Sequence, residues 1–559
     1  MKRASRLISL LVLAALLLAV VGGVGGQSDY KVLRTGLSMV GADLETIDPA
    51  LAQTVSQIEI INQMFIGLTH QNNLTASVEP GIATWEVSED GLVYTFSIIP
   101  EIPWVRYNAD TGEVEMVMDE EGRPRRVTAQ DFVFGWRRTL DPATGGAYSY
   151  VLAGNVAGGN EFNAGEVGPE ALGIVALDEH TLQVTAAEPV AFAVSIFGLW
   201  MARAQPEWAI EEAGDLWTEP EYINTYGPYT LKEWAHDESI TLIKNPFWPG
   251  TETVPQARID EIIFRFLSPA AQFAEFQAGN LDASSVPLEE IPRIEADPVL
   301  SQQYTIGTNP CTYYVGFDVT EAPVDNVHLR RALSAAIDRV AIVENVTRGG
   351  QIAAQWFSRP GLTAAPTLET HPDLGMKFDL ELAQAEMALA LETMGLSSPA
   401  ELPTLVLTYN DAAGHAAIMQ AMQQMWVDAF GVNVELSQRE SAGYFSGLRQ
   451  DAPMMYRAGW CQDYSDASNF LYDVFRSDSE FNYTGYANPE FDALVDRARV
   501  LRDEAERLEL YVQAEEILIN EGAAIIPIYW YTTNQLTAPN VERTYSITGN
   551  EYYYFWDIN

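Results

Sequence analysis

The chain has 559 residues, 47% of them hydrophobic, with 13 tryptophans and a formal net charge of −45. That length predicts two or three domains with substantial cores, and the apolar content excludes a disordered chain. So negative a surface repels phosphate backbones and argues against nucleic acid as a partner; it fits a solvated, solubilising surface or one that attracts cationic ligands.

The N-terminus runs from the basic MKRASR through the apolar LISLLVLAALLLAVV to the small residues GGVGG, the layout of a secretory signal peptide cleaved near Gly23 to Gly26. Glycines stand where a lipoprotein would need a cysteine, and no later stretch is long and apolar enough to span a bilayer. The expectation is a protein secreted across the cytoplasmic membrane, periplasmic or associated with the cell surface.

YKVLRTGLSMV then alternates as a strand. The segment after Asp48-Pro49 turns into an amphipathic helix, with Ile58, Ile61, Phe65 and Leu68 facing a core. ATWEVSEDGLVYTFSI predicts a hairpin on an Asp-Gly turn. The acidic stretch at 108 to 122 lacks the spaced oxygens and closing Glu of a calcium loop and predicts another hairpin. Thr128 and Asp131 make a capping box for a helix that Asp141-Pro142 ends. From 170 to 265 short strands and turns prevail, around a Trp-rich helix over 206 to 217.

Past Cys311, VDNVHLRRALSAAIDRVAIVENV predicts one helix, with Val327, Leu333 and Ile337 among its apolar positions. GHAAIMQAMQQMWVDAF predicts a second, ended by Gly431 before the strand VNVEL. A long helical stretch from 489 to about 520 leads into the buried strand AAIIPIYWY. Helices alternating with strands predict an α/β protein, and the lack of repeats or low-complexity linkers predicts interleaved domains.

Cys311 and Cys461 are the only cysteines, and in an exported chain they favour one disulfide over two free thiols. Closing so long a loop would stabilise the fold by about 5 kcal/mol on the chain-entropy model. Six scattered histidines, with no HExxH and no paired CxxC, leave too few ligands for zinc. Residues 459 to 471, GWCQDYSDASNFL, gather Gly459, Trp460, Cys461, Asp463 and Asp466 in one loop. A catalytic carboxylate pair needs a set separation and opposed environments, which loop spacing does not supply, and no GxSxG elbow or Cys-His arrangement supports a hydrolase. Trp460 fits core packing beside a disulfide or an aromatic wall against a ligand. Arg449 and Arg457 fit surface charges or the positive complement of a zwitterionic ligand.

Taken in order, TAQDFVFGWRRTLDPATGGAYSYVL, YGPYTLKEW with KNPFWPG, CTYYVGF with DNVHLRRALSAAIDR, and RAGWCQDYSDASNFL resemble the peptide/nickel family of solute-binding proteins of bacterial ABC importers. The resemblance runs over essentially the whole chain after the signal. It implies a two-lobed α/β periplasmic-binding-protein fold of type II, a Venus flytrap of three interleaved domains. After the signal peptide at 1–26, domain I would comprise 27–65, 209–310 and 523–559, domain II 66–208 and domain III 311–522, with hinge crossings near 308–312 and 521–526.

The same resemblance implies a disulfide between Cys311 and Cys461 and capture of a ligand by lobe closure. Asp463 would pair with the α-amino group of a peptide, Trp460 would form the cleft wall, and Arg457 and Arg449 would meet the ligand carboxylate. Main-chain groups around Gln53 to Val55, Tyr314 and Gly459 would bond the extended peptide, and Tyr148 would line the cleft. Gln53 and Tyr226 depart from the best-known peptide binders at positions by the expected pocket. The implied protein is a monomer without catalytic residues, metal or cofactor, which delivers short peptides to an ABC permease in the cytoplasmic membrane. Alternatives on the same fold are binding of an oligosaccharide or another solute, a peptide sensor or chaperone, and a hydrolase.

Overall fold

The computed structural model describes residues 30–38, 43–412, 414–441 and 443–559. The signal peptide expected at 1–26 lies outside the described residues. The alternation after it places Leu33, Thr35 and Leu37 inside the strand Val32–Leu37. That strand pairs in parallel with Glu261–Phe266.

Around this pair runs an 11-stranded sheet. Its order is Tyr229–Ala235, Ser239–Lys244, Glu261–Phe266, Val32–Leu37, Ala283–Ser285, Ile525–Thr537, Tyr304–Phe317, Met455–Cys461, Leu405–Asn410 and Val434–Arg439, with Ile352–Ala353 also on Ile525–Thr537.

Besides a small cluster around Phe273, Ile294 and Leu536, the sheet serves two large cores. One includes Leu33, Phe65, Trp104, Trp136, Ile262 and Trp556, and the other Tyr313, Leu333, Trp426, Phe470 and Trp530. The strands Tyr304–Phe317, of 14 residues, and Ile525–Thr537, of 13, run antiparallel from the small cluster, where Tyr304 and Leu536 pack, into the second large core, and they join the two lobes of one sheet.

Pairing lapses where they cross: Thr308 meets Thr532, but the next matched pair is Thr312 with Trp530. Arg359, 7% exposed, bonds the carbonyls freed there, those of Asn309 and, at 2.5 Å, Tyr531. Further along, Ile525 and Ile526 pair with Gly316 and Val315.

In the first lobe the predicted hairpin forms from Ala83–Val87 and Val93–Ile98, with Gly91 at φ +77° in its turn, where a side chain would be strained. Thr181–Thr185 and Ile174–Asp178 complete a four-stranded sheet. The expected capping box starts the helix Ala129–Leu140: the Asp131 carboxylate accepts the Thr128 N–H at 2.8 Å.

Two predicted helices are broken in the second lobe. Val327–Ala335 stops because Arg339 folds back onto the carbonyls of Ser334, at 3.3 Å, and Ile337, at 3.2 Å, while Asp338 caps a new turn through the Ala341 N–H at 2.9 Å. Likewise 489–520 divides into Pro489–Val500 and Glu504–Glu516, with Asp503 accepting the Glu506 N–H at 2.9 Å. No helix among the described residues is long and apolar enough to cross a membrane.

Candidate ligand-binding cleft between the lobes

The opening strand of the site, Met455–Cys461, pairs along its length with Tyr304–Phe317, setting Thr312 opposite Trp460 and Tyr313 opposite Gly459. Cys311 and Cys461 close this ladder as a disulfide, with their Cα atoms 3.9 Å apart. On its other edge the strand pairs with Leu405–Asn410 only at Met455 and Tyr456. The backbone from Ala458 to Cys461 therefore has no strand partner on that side, and such an edge can accept an extended chain.

Asn469, fully buried at the start of the helix Ser468–Phe475, organises the loop that follows. Its Oδ1 accepts the Trp460 indole N–H at 3.2 Å and the Asp463 backbone N–H at 2.9 Å. Its Nδ2 donates to the carboxylates of Asp463, at 3.1 Å, and Asp473, at 3.0 Å. The half-buried Trp460 ring also lies edge-on to Phe481 at 4.9 Å.

Asp463 has no ion pair among the described residues. Burial is the main cause that pushes its carboxyl up to about 7; the Asn469 hydrogen bond opposes the rise and the neighbouring charge of Asp473 adds to it. An acid so placed is destabilised until a cation reaches it.

Asp466 is a different group. It is fully buried, ion-paired with Arg507, and accepts the Ser468 N–H at 2.9 Å and the Tyr511 hydroxyl at 3.4 Å. The two aspartates thus divide into one uncompensated acid and one structural ion pair.

The first lobe closes over this loop. Phe192 stacks on Tyr464 at 4.9 Å, and Tyr150 meets Phe481 at 5.3 Å. Burial first, and the charge of Asp463 next, raise the Tyr148 and Tyr150 hydroxyls. At the break between the helices Pro489–Val500 and Glu504–Glu516, Arg499 reaches across to Asn155 Oδ1 at 3.0 Å and to the Gly154 carbonyl at 3.2 Å. Arg502 bonds the Glu89 carbonyl at 3.2 Å.

Arg457 is 8% exposed and has no carboxylate partner among the described residues. Its guanidinium lies 4.8 Å over the Tyr313 ring and donates to the Tyr531 hydroxyl at 2.8 Å and to Asn410 Oδ1 at 3.3 Å. Burial alone would lower its pKa; Tyr531, Tyr313 and Tyr529 outweigh that and raise it, so it stays charged. Arg449 is half-exposed, 3.9 Å from Glu480 and over the Phe481 ring at 5.1 Å. It borders a cavity of about 730 Å³ shared with Tyr483 and Asp318.

The remaining predicted residues fall in two settings. Gln53 and Val55 are exposed at the start of the helix Val55–Met64. The N–H groups of Gln53 and Thr54 are already taken by the Gln57 side chain, at 2.7 and 2.9 Å. Val55's own N–H, in the first turn, stays outside the helical ladder.

Tyr314 is 2% exposed on a strand paired on both sides, with its ring against Phe357 at 5.3 Å. The fold places it in the core and not at the cleft. Tyr226 is also in the core: fully buried, it donates to the Ile66 carbonyl at 2.9 Å and lies edge-on to Trp104 at 4.9 Å. Asn469, Tyr150, Phe481 and Arg499 are the cleft groups that sequence reasoning missed. Only Asn469, at a helix start six residues after Asp463, carried a local signal.

Two lobes of one sheet joined by a pair of long strands, with a part-buried, uncompensated acid near their meeting, define a two-lobed solute-binding protein. Residues 77–482 match the family described as bacterial extracellular solute-binding proteins, family 5 Middle, and the chain belongs to that family. The chain is 30% identical over 564 residues to the oligopeptide-binding protein OppA of Bacillus subtilis, covering 97% of each. It is 30% identical to the periplasmic oligopeptide-binding protein OppA of Escherichia coli over 505 residues, 89% of this chain and 87% of the relative.

Among solved structures it superposes on Haemophilus influenzae OppA in complex with RPPGFSPFR with a TM-score of 0.76 and 26% identity, covering 95% of this chain and 99% of that one. The Escherichia coli murein tripeptide binding protein MppA gives a TM-score of 0.78 and 26% identity over the same shares.

Proposed function

We propose that this protein captures short peptides by closing its lobes and delivers them to the membrane permease of an ABC importer. The observation that carries the proposal is a pair of opposite charges near the meeting of the lobes, the part-buried Asp463 and the buried Arg457, neither with an ion-pair partner among the described residues. A zwitterion would supply both missing partners, the α-ammonium to Asp463 and the carboxylate to Arg457, or to Arg449 for a longer ligand.

The open edge at Gly459 and the Val55 amide would hold the peptide backbone as an added strand, with the Gln53 main chain beside them. Trp460 and Tyr148 would wall the cleft. Relatives named as oligopeptide-binding proteins, and a structural neighbour complexed with a nonapeptide, support this reading. Backbone recognition predicts broad sequence tolerance, with side chains in hydrated pockets.

In this reading the protein is exported by its signal peptide, acts as a monomer, uses no cofactor and performs no chemistry. The closed, loaded form would dock on the permease better than the open form. The test is calorimetric titration of the mature protein, stripped of ligand by unfolding and refolding, with tri- to pentapeptides. Binding of several unrelated sequences is expected; binding of none contradicts the proposal.

A further inference from the structure

A cavity of about 960 Å³ lies in the first lobe, and none of its lining residues belongs to the cleft. Its walls come from the hairpin of Thr69–Gln71 with Val78–Pro80, the sheet strands Ala83–Val87 and Val93–Ile98, and the C-terminal segment at Phe555.

Two of its polar side chains are more than nine-tenths buried. Asn73, 6% exposed, has both amide atoms without a hydrogen-bond partner. Its neighbour Asn72 is fully engaged, donating to Glu79 and accepting the N–H groups of Leu74 and Thr75. An unpaired buried amide costs roughly 1–3 kcal/mol, and the turn does not need this one.

The second is His70, 8% exposed and edge-on to Tyr552 at 4.8 Å. Burial, then the charge of Arg203, hold its pKa down at about 4, so the ring is neutral and offers one donor and one acceptor. Ile98, Ile99 and Phe555 supply an apolar wall. No lysine or arginine lines the cavity, whereas Glu79 and Glu252 do, which disfavours anions.

We propose that this cavity is a second binding site, for an uncharged amphipathic small molecule. Its amide or hydroxyl pairs with Asn73 and His70 while its apolar body lies against Ile98, Ile99 and Phe555. The site is independent of peptide capture.

The test uses N-acetyl-phenylalanine amide, a probe that lacks both charged termini, in saturation-transfer NMR with the whole mature protein, alone and with a tripeptide present. The expected result is saturable binding that the tripeptide does not displace and that Asp463→Asn leaves unchanged. It should weaken at least tenfold in Asn73→Leu, which removes the polar end, and in Thr84→Trp, which fills the cavity from an exposed position. Should Asn73→Leu fail to fold, Thr84→Trp carries the comparison alone. No binding, displacement by the tripeptide, or equal binding in the folded variants overturns the proposal. Because the probe is read in the Asp463→Asn background too, failure of the peptide reading leaves a distinct signature.

Discussion

Replacing Asp463 with Asn removes one charge and almost no volume. Its one side-chain hydrogen bond, accepted from Asn469 at 3.1 Å, can be kept by the new amide oxygen, and the backbone N–H bond to Asn469 is untouched. A ligand ammonium entering the closed cleft would then lack its counter-charge. Truncating one member of a buried, hydrogen-bonded charge pair costs about 2–5 kcal/mol, roughly 30- to 4,000-fold in Kd.

The effect on the free protein has the opposite sign. Burial raises the Asp463 carboxyl from 3.8 to about 7, so the native state holds a proton that the unfolded chain has already released. Stability from this group is therefore full below about pH 4 and is lost as the pH climbs to about 7, with a ceiling of roughly 4 kcal/mol. Asp463→Asn should raise Tm at pH 8 while weakening peptide binding, measured by scanning and titration calorimetry on one preparation. A Kd within threefold of wild type would refute the anchor assignment, and a lowered Tm would refute the burial argument.

Other perturbations separate structural from binding roles. Asp466→Asn leaves Arg507, 3% exposed, as an uncompensated buried charge and should cost about 3–5 kcal/mol in urea unfolding; a loss below about 1 kcal/mol contradicts the ion pair's role. Peptide affinity should fall as the pH drops below about 7, up to about tenfold per pH unit, because Asp463 must lose its proton to bind. Calorimetry in buffers of different ionisation heat would detect the released proton, and a flat profile from about pH 5 to 7 would count against it. Arg499→Ala removes cross-lobe bonds at 3.0 and 3.2 Å, each worth about 1.5–3 kcal/mol, and should speed ligand dissociation about tenfold or more in stopped flow. An unchanged rate would mean that these bonds do not hold the lobes closed. Cys311→Ser opens the 150-residue loop and should cost up to about 5 kcal/mol in the second lobe, read from its denaturant midpoint; an unmoved midpoint contradicts this.

Local signals read correctly where the cause is local. The Asp90-Gly91 turn, the Thr128 and Asp131 box and the Gly431 stop each depend on neighbours a few residues away. The helix breaks at 336–338 and 501–503 were not legible, because apolar periodicity runs through them. The Asp503 to Glu506 spacing was a capping signal hidden under that pattern.

In the cleft, the loop at 459 to 471 stood out through its composition and its family resemblance. What divides its aspartates is three-dimensional: Arg507 reaches one, and Asn469 alone reaches the other. Tyr314 shows the period-two problem of strands, since a single position separates a residue on the Arg457 face from one packed on Phe357. Tyr150 and Phe192 arrive from the opposite lobe, a pairing that no local pattern encodes.

In the proposed complex Asp463 anchors the free amino terminus of a peptide held between the lobes. Titrating the refolded, ligand-free protein with one tripeptide and with its Nα-acetylated form tests it directly. Acetylation removes the ammonium and keeps every backbone and side-chain group, so affinity should fall by about 30-fold or more. Equal affinity for the two forms would contradict the account.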